Sequence, residues 1–235
     1  MNVLFAILLA VYLLYALLVN RREDGGRSGW AKKTGIVLHG PLFASACYLA
    51  AGHGAFSRQL VSPPYIAAGF LAGHLIFGVS LLATYRSLRT TAVQLADLHS
   101  LWEYAVENPN VLMRFCAVGF GEEVIYRAAA QPLAAAWTGS PVAGILLIAA
   151  AFSLVHRHFL RNPMDQSAEF AAFAIVLGVL YYLSGSLILV IVIHAVRNIE
   201  IAFLEELTKT DTASQDSPAE SADAKPCPLD TPERI

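Results

Sequence analysis

The stretch that decides the fold is Gly121-Glu122-Glu123-Val124-Ile125-Tyr126-Arg127, which sets three charged side chains inside an apolar run extending from Val111 to Trp137. Each ionised residue near a bilayer centre costs roughly 2.5–3.5 kcal/mol on insertion-derived scales, so three within six positions imply a polar interior site with partners. Two later apolar segments offer them: Phe152-Ser153-Leu154-Val155-His156 and His194-Ala195-Val196-Arg197-Asn198.

The rest of the chain has the composition such a site requires. It is 56% hydrophobic and 14% charged, with a mean hydropathy of +0.54, the balance of a polytopic membrane protein solvated largely by lipid. A net charge of −2 gives nucleic-acid binding no electrostatic support. Cys47, Cys116 and Cys227 show neither CxxC pairing nor ligand spacing, so no disulfide or metal is read from them. The amino terminus lacks a basic n-region and a cleavage site, and its apolar run reads as a retained anchor.

A helical span needs about 17–25 apolar residues, which places seven spans at Val3–Val19, Gly35–Ala55, Tyr65–Thr84, Val111–Trp137, Val142–Leu160, Ala168–Leu183 and Ser186–Leu207. The expected fold is an all-α transmembrane bundle, a single domain over 1–207 with its polar core in 111–207. Between the third and fourth spans, Ala92–Val106 carries Leu95, Leu98, Leu101, Trp102 and Ala105 on one stripe, the pattern of an interfacial amphipathic helix. From Thr208 to Ile235 the chain is polar and aperiodic, and a disordered tail is expected.

Basic residues set the orientation. Arg21, Arg22, Arg27, Lys32 and Lys33 follow span one, Arg86 and Arg89 follow span three, and Arg157 and Arg161 close span five. Those loops are expected in the cytoplasm, with the N-terminus outside, the C-terminus inside, and the cell (inner) membrane as the location.

On a helix, residues four apart share a face, so Glu123 and Arg127 can pair in the favourable acid-before-base order. Glu122 is turned about 100° away and has no compensating partner on its own helix. His194 and Asn198 are also four apart and project two hydrogen-bonding groups from one face, an arrangement suited to an oxyanion or a substrate carbonyl. His156 stands one turn after Phe152 and can share a water with Glu122 if the helices adjoin. No Ser or Cys is visibly poised by a base, so the set suits water activation over a covalent nucleophile.

Glu122-Glu123-x-x-x-Arg127, Phe152-x-x-x-His156 and His194-x-x-x-Asn198, in this order on successive helices, closely resemble the three motifs of the CAAX protease and bacteriocin-processing family, the Abi proteins. The resemblance covers about Val111 to Leu207. It implies an intramembrane endopeptidase of the type II CAAX kind, acting on a membrane-associated peptide or protein near its terminus. By the resemblance, Glu122 and His156 activate the catalytic water, His194 and Asn198 form the oxyanion hole, and Glu123 and Arg127 shape the site.

Alternatives stand beside this reading. Glu122, His156 and His194 also make a two-His, one-carboxylate zinc set, although HExxH is absent; hydrolysis without a cofactor is the preferred form. An Abi-type immunity protein that binds a toxic peptide is the non-enzymatic alternative, and a proton-coupled transporter ranks third, since no paired broken helices are visible. Among the other polar residues, His39, His53 and His74 read as packed or interfacial, His99 as solvated, and His158 as facing away from His156 at the membrane surface. Phe152 reads as a packing residue beside the site, and Arg197 and Glu200 as an ion pair three residues apart.

Overall fold

The computed structural model describes residues 1–21, 29–57 and 61–215. Every described element is helical: α1 (Asn2–Asn20), α2 (Gly29–Gly52), α3 (Pro63–Tyr85), α4 (Leu88–Ala96), α5 (Leu98–Glu107), α6 (Pro109–Glu123), a π-helical segment (Val124–Ala130), α7 (Gln131–Thr138), α8 (Pro141–Val155), α9 (Arg157–Arg161), α10 (Met164–Ser184) and α11 (Leu187–Gln215). Among the described residues, five helices are long and apolar enough to cross a membrane: α1, α2, α3, α10 and α11. Helix α8 is apolar but shorter, and the continuous run from α6 through α7 carries the charged stretch.

Local chemistry explains the helix ends. Prolines stand in the first turns of α3, α6 and α8, where the missing N–H would be unpaired anyway. The Ser140 hydroxyl accepts the Ala143 N–H at 3.3 Å to cap α8, and Gly139 and Gly185 end α7 and α10 in left-handed conformations, as C-terminal glycines do.

Four expectations need revision. The fourth span is not one α-helix, because its middle turns are π-helical over Val124–Ala130. Pro132 has no N–H to give the Ala128 carbonyl, and the His53 ring takes that carbonyl instead, Nδ1 lying 3.3 Å away. The fifth span stops at Val155 instead of Leu160, since His156 adopts an extended conformation (φ −91°, ψ 120°) and α9 starts afresh. The amphipathic helix is two helices, α4 and α5, because the Asp97 carboxylate accepts the Ser100 N–H at 3.2 Å and starts a new one. Helix α11 continues beyond Leu207 to Gln215. The remainder of the expected tail, with Cys227, lies outside the described residues, as do Arg22 and Arg27 of the first basic loop.

Large apolar side chains point outward along the spans, Val3, Ile36, Phe70 and Val79 among them. Lipid is as apolar as leucine, so helix association here rests on close packing and polar ties instead of a hydrophobic driving force. Helices α3 and α11 show the packing term. A Cβ on Gly69 would lie 2.7 Å from that of Val192, and one on Gly73 would lie 2.9 Å from that of Val196. Gly69-x-x-x-Gly73 is thus a small-residue groove that seats α11, the helix bearing His194 and Asn198.

Polar ties hold the same helices. The His74 Nδ1 on α3 meets Glu200 Oε1 on α11 at 2.5 Å. Arg197 gives two hydrogen bonds to Glu169 on α10, at 2.9 and 2.8 Å, and Ser80 on α3 donates to the same carboxylate. The expected Arg197–Glu200 pair is therefore not made: both residues find partners on neighbouring helices, and the Arg197 guanidinium lies over the Phe173 ring at 4.4 Å. His74, read as packed or interfacial, hydrogen-bonds to Glu200.

Candidate active site

Helix α6 brings Glu122 and Glu123 into the bundle at its last turn, and they occupy different environments. Glu123 is fully buried, whereas the Glu122 side chain keeps 24% of its surface accessible. The Glu123 Oε2 stands 3.4 Å from Nε of Arg127, across the four-residue spacing read from the sequence. Arg127 also donates to the Ala174 carbonyl at 3.2 Å, and its guanidinium stacks 4.9 Å from the Phe152 ring centre. This buried pair is anchored on three helical segments.

Glu123 also reaches α11. The His194 Nδ1 lies 2.7 Å from Glu123 Oε1. A carboxylate only accepts, so Nδ1 carries the proton there, and the other ring nitrogen is the one presented to the site. That nitrogen, Nε2, is 3.5 Å from Glu122 Oε2.

His156 is oriented by the same logic with a different partner. Its Nδ1 lies 2.7 Å from the Phe152 carbonyl, an acceptor that requires a proton on Nδ1. Its Nε2 then faces Glu122 Oε1 at 3.6 Å. The Glu122 carboxylate thus sits between two imidazoles whose Nδ1 atoms are both committed elsewhere. Gaps of 3.5–3.6 Å exceed a good N–H···O bond, so the carboxylate and both Nε2 atoms keep hydrogen-bonding capacity for a water beside them. Glu122 Oε2 has no hydrogen-bond partner among the described residues.

Phe152 is completely buried and packs on both histidines, with ring centres 4.6 Å from His156 and 6.0 Å from His194. It packs between them and over the Arg127 guanidinium. Phe173 meets His194 edge-on at 5.6 Å from the far side. Asn198, one turn beyond His194 on α11, is half-buried.

His158 does not face away. Because the helix breaks at His156, its ring lies 5.3 Å from that of His156 and 4.4 Å from that of Phe170. Burial, reinforced by the neighbouring His156 ring and the Arg197 charge, holds it below the usual imidazole range. His99 is solvent-exposed beside Glu103, as its sequence position suggests.

The donor chemistry of Glu122, His156 and His194 is that of a zinc set, yet among the described residues no group of three His, Cys, Asp or Glu side chains is spaced to hold a metal ion. The polar residues that sequence reading missed here are Glu169, Gln131 and the Arg197 contacts. Gln131 is buried and donates to the Gly178 carbonyl at 2.9 Å, a tie with no local signature.

No curated protein and no solved structure matches the chain. Residues 106–199 match the family model described as type II CAAX prenyl endopeptidase Rce1-like, and that segment contains Glu122, Glu123, Arg127, Phe152, His156, His194 and Asn198. The polar site therefore lies within a segment similar to a CAAX endopeptidase family.

Proposed function

We propose that the protein hydrolyses a peptide bond near the terminus of a membrane-associated peptide or protein, with Glu122 and His156 activating the water and with His194 and Asn198 as the oxyanion hole. The observation that carries this reading is the Glu122 carboxylate set between two imidazole Nε2 atoms at 3.6 and 3.5 Å, each ring fixed from behind through Nδ1. Glu122 and His156 are the partly accessible members, at 24% and 22% of side-chain surface, so a substrate can reach them while Glu123 and Arg127 stay sealed.

In this mechanism, Glu122 takes a proton from the water while His156 Nε2 holds the other hydrogen. The water oxygen bonds to the carbonyl carbon, and the carbonyl π pair moves onto oxygen, where His194 Nε2–H and the Asn198 carboxamide receive it. For His194 to donate through Nε2, both ring nitrogens must carry protons. Glu123, 2.7 Å behind the ring, and the Glu122 carboxylate beside Nε2 together stabilise that charge beside Arg127. Collapse breaks the C–N bond, and the proton held by Glu122 passes to the departing nitrogen, leaving an amine and a carboxylic acid; the acid's proton, held by His156 Nε2, then passes to the amine to give an ammonium and a carboxylate. No cofactor enters these steps, and Arg127 acts only by holding Glu123.

The same reading places Lys33 and the C-terminus in the cytoplasm and bilayer lipid against the outward apolar side chains. The test is turnover of a fluorogenic peptide ending in a farnesylated Cys-aliphatic-aliphatic-X sequence, compared with its unprenylated twin, in purified protein. Cleavage of either that disappears in Glu122→Gln supports the proposal. Tight binding of a peptide without cleavage by the folded wild type overturns it in favour of an immunity role.

A further inference from the structure

The catalytic reading needs His156 at a place where the main chain has no sequence reason to break. Helix α8 ends at Val155, and a helix end leaves its last carbonyls unpaired. One of them, on Phe152, is taken by the His156 ring. Another, on Val155 itself, is taken from far away in the sequence: Asn20 Nδ2, on the last residue of α1, donates to the Val155 carbonyl at 2.7 Å. The Asn20 carbonyl in turn accepts from Arg161 Nη2, at the end of α9, at 3.4 Å.

Asn20 therefore ties down both sides of the break that contains His156. On the near side it holds the carbonyl immediately before the histidine; on the far side it holds the last residue of the helix that follows. We infer that Asn20 is a positioning residue for His156, keeping α8 and α9 apart so that the imidazole stays on Glu122. It touches no reacting atom and acts through the main chain of Val155. It also lies outside residues 106–199, so the N-terminal helix contributes to a site otherwise built from the family segment.

The alternative conformation is specific. The Phe159 N–H now bonds to the His156 carbonyl at 3.1 Å, three residues back. Freed from Asn20, the Val155 carbonyl becomes the four-back acceptor for that same N–H, which would fuse α8 and α9 into one α-helix. His156 would then take helical dihedrals and its ring would swing off Glu122.

The inference rests on the proposed role of His156 only for its catalytic consequence, so two measurements separate them. Full-length protein with ¹⁵N-labelled histidine is compared by NMR in detergent micelles for wild type, Asn20→Asp and Asn20→Gln, with His156→Gln assigning the His156 ring signals. Asn20→Asp keeps the shape but loses the donor; it is expected to shift the His156 ring signals and leave those of His74 and His99 in place. Asn20→Gln keeps an amide donor and is expected to restore much of the wild-type position. Unmoved His156 signals in Asn20→Asp overturn the positioning, whatever happens to stability. In turnover of the farnesylated peptide, Asn20→Asp is expected to lower kcat by about 10-fold or more with KM within about twofold, the scale of a modest misplacement of a reacting group. Leu9→Ala, a buried change elsewhere on α1, is the control and is expected to lower stability without moving the His156 signals. Shifted His156 signals with unchanged kcat uphold the positioning and overturn the catalytic reading of His156.

Discussion

The Nδ1 atom of His194 lies 2.7 Å from Oε1 of Glu123, across 71 residues of sequence, and this one hydrogen bond joins two of the three motifs. Glu123 serves Arg127 with its other oxygen at 3.4 Å, so one buried carboxylate both neutralises a buried guanidinium and sets the tautomer of an imidazole. The adjacent Glu122 does neither. It is the partly accessible carboxylate, directed at two free Nε2 atoms. Two chemically identical neighbours thus have separate environments because successive helical residues point about 100° apart.

Glu123→Gln is expected to lower both folded protein and activity. The substitution leaves Arg127 without its counter-charge where the side chain is 1% exposed, an error costing about 3–5 kcal/mol for a buried pair, and it weakens the hold on His194. Thermal unfolding and turnover per folded molecule, measured together, should both fall. A normal melting temperature would remove the structural role assigned to Glu123.

Glu122→Gln is expected to separate the two effects. The amide keeps size and some hydrogen bonding but cannot take the proton, so turnover should drop by ~10²–10⁴-fold or more, with normal membrane abundance and a melting temperature close to wild type. Near-wild-type turnover would leave the water without its base and move a binding or immunity role to first place.

How far the sequence disclosed this site depends on the range of the interactions. Glu123 with Arg127 is a pairing within one helix, and their four-residue spacing predicts it directly. The convergence of the three motifs was legible because each stands as polar residues in an apolar run, where isolation is costly. The break at His156 was not, since Leu154-Val155-His156-Arg157 holds no Gly or Pro and the interruption depends on Asn20 and on the histidine's own side chain. His74 with Glu200 and Glu169 with Arg197 join separate helices, and periodicity is silent about which faces meet. The Gly69-x-x-x-Gly73 groove was present in the sequence as a small-residue spacing, but its partner on α11 was not.

That groove gives a packing prediction. A methyl added at Gly73 would sit 2.9 Å from Val196 Cβ and 3.1 Å from the Ile193 carbonyl, and neither can give way without moving α11. Gly73→Ala should therefore destabilise by about 1–3 kcal/mol, the usual cost of overpacking, read as a lowered melting temperature. Gly40→Ala, where nothing lies within 4 Å of the added carbon, is the matched control and should be silent. Equal melting temperatures for the two variants would mean that α3 and α11 do not pack this closely.

Topology follows from charge. The stretch between Arg21 and Lys33, the Arg86–Arg89 segment and the Arg157–Arg161 helix are rich in basic residues, and short basic connections between spans are expected on the cytoplasmic side. Reporter fusions at Lys33 and at the C-terminus should both give cytoplasmic signals. An external signal from either reverses or breaks the proposed orientation.

Metal removal decides between the two chemistries that the same three residues admit. A general-base carboxylate deprotonates a water without a Lewis acid when an imidazole holds the water's second hydrogen, and His156 is such an imidazole beside Glu122. Both Nδ1 atoms are held by oxygen acceptors, which turns both Nε2 atoms toward Glu122; the same backing hydrogen bonds are also the ones that orient histidines toward zinc, so ring orientation alone does not choose. Purified protein is expected to keep its peptidase activity after exhaustive dialysis against a strong chelator, with Glu122→Gln inactive before and after. Activity lost on chelation and regained with stoichiometric zinc, but not with magnesium, would make Glu122, His156 and His194 ligands, and the proton acceptor would have to be sought elsewhere in the site.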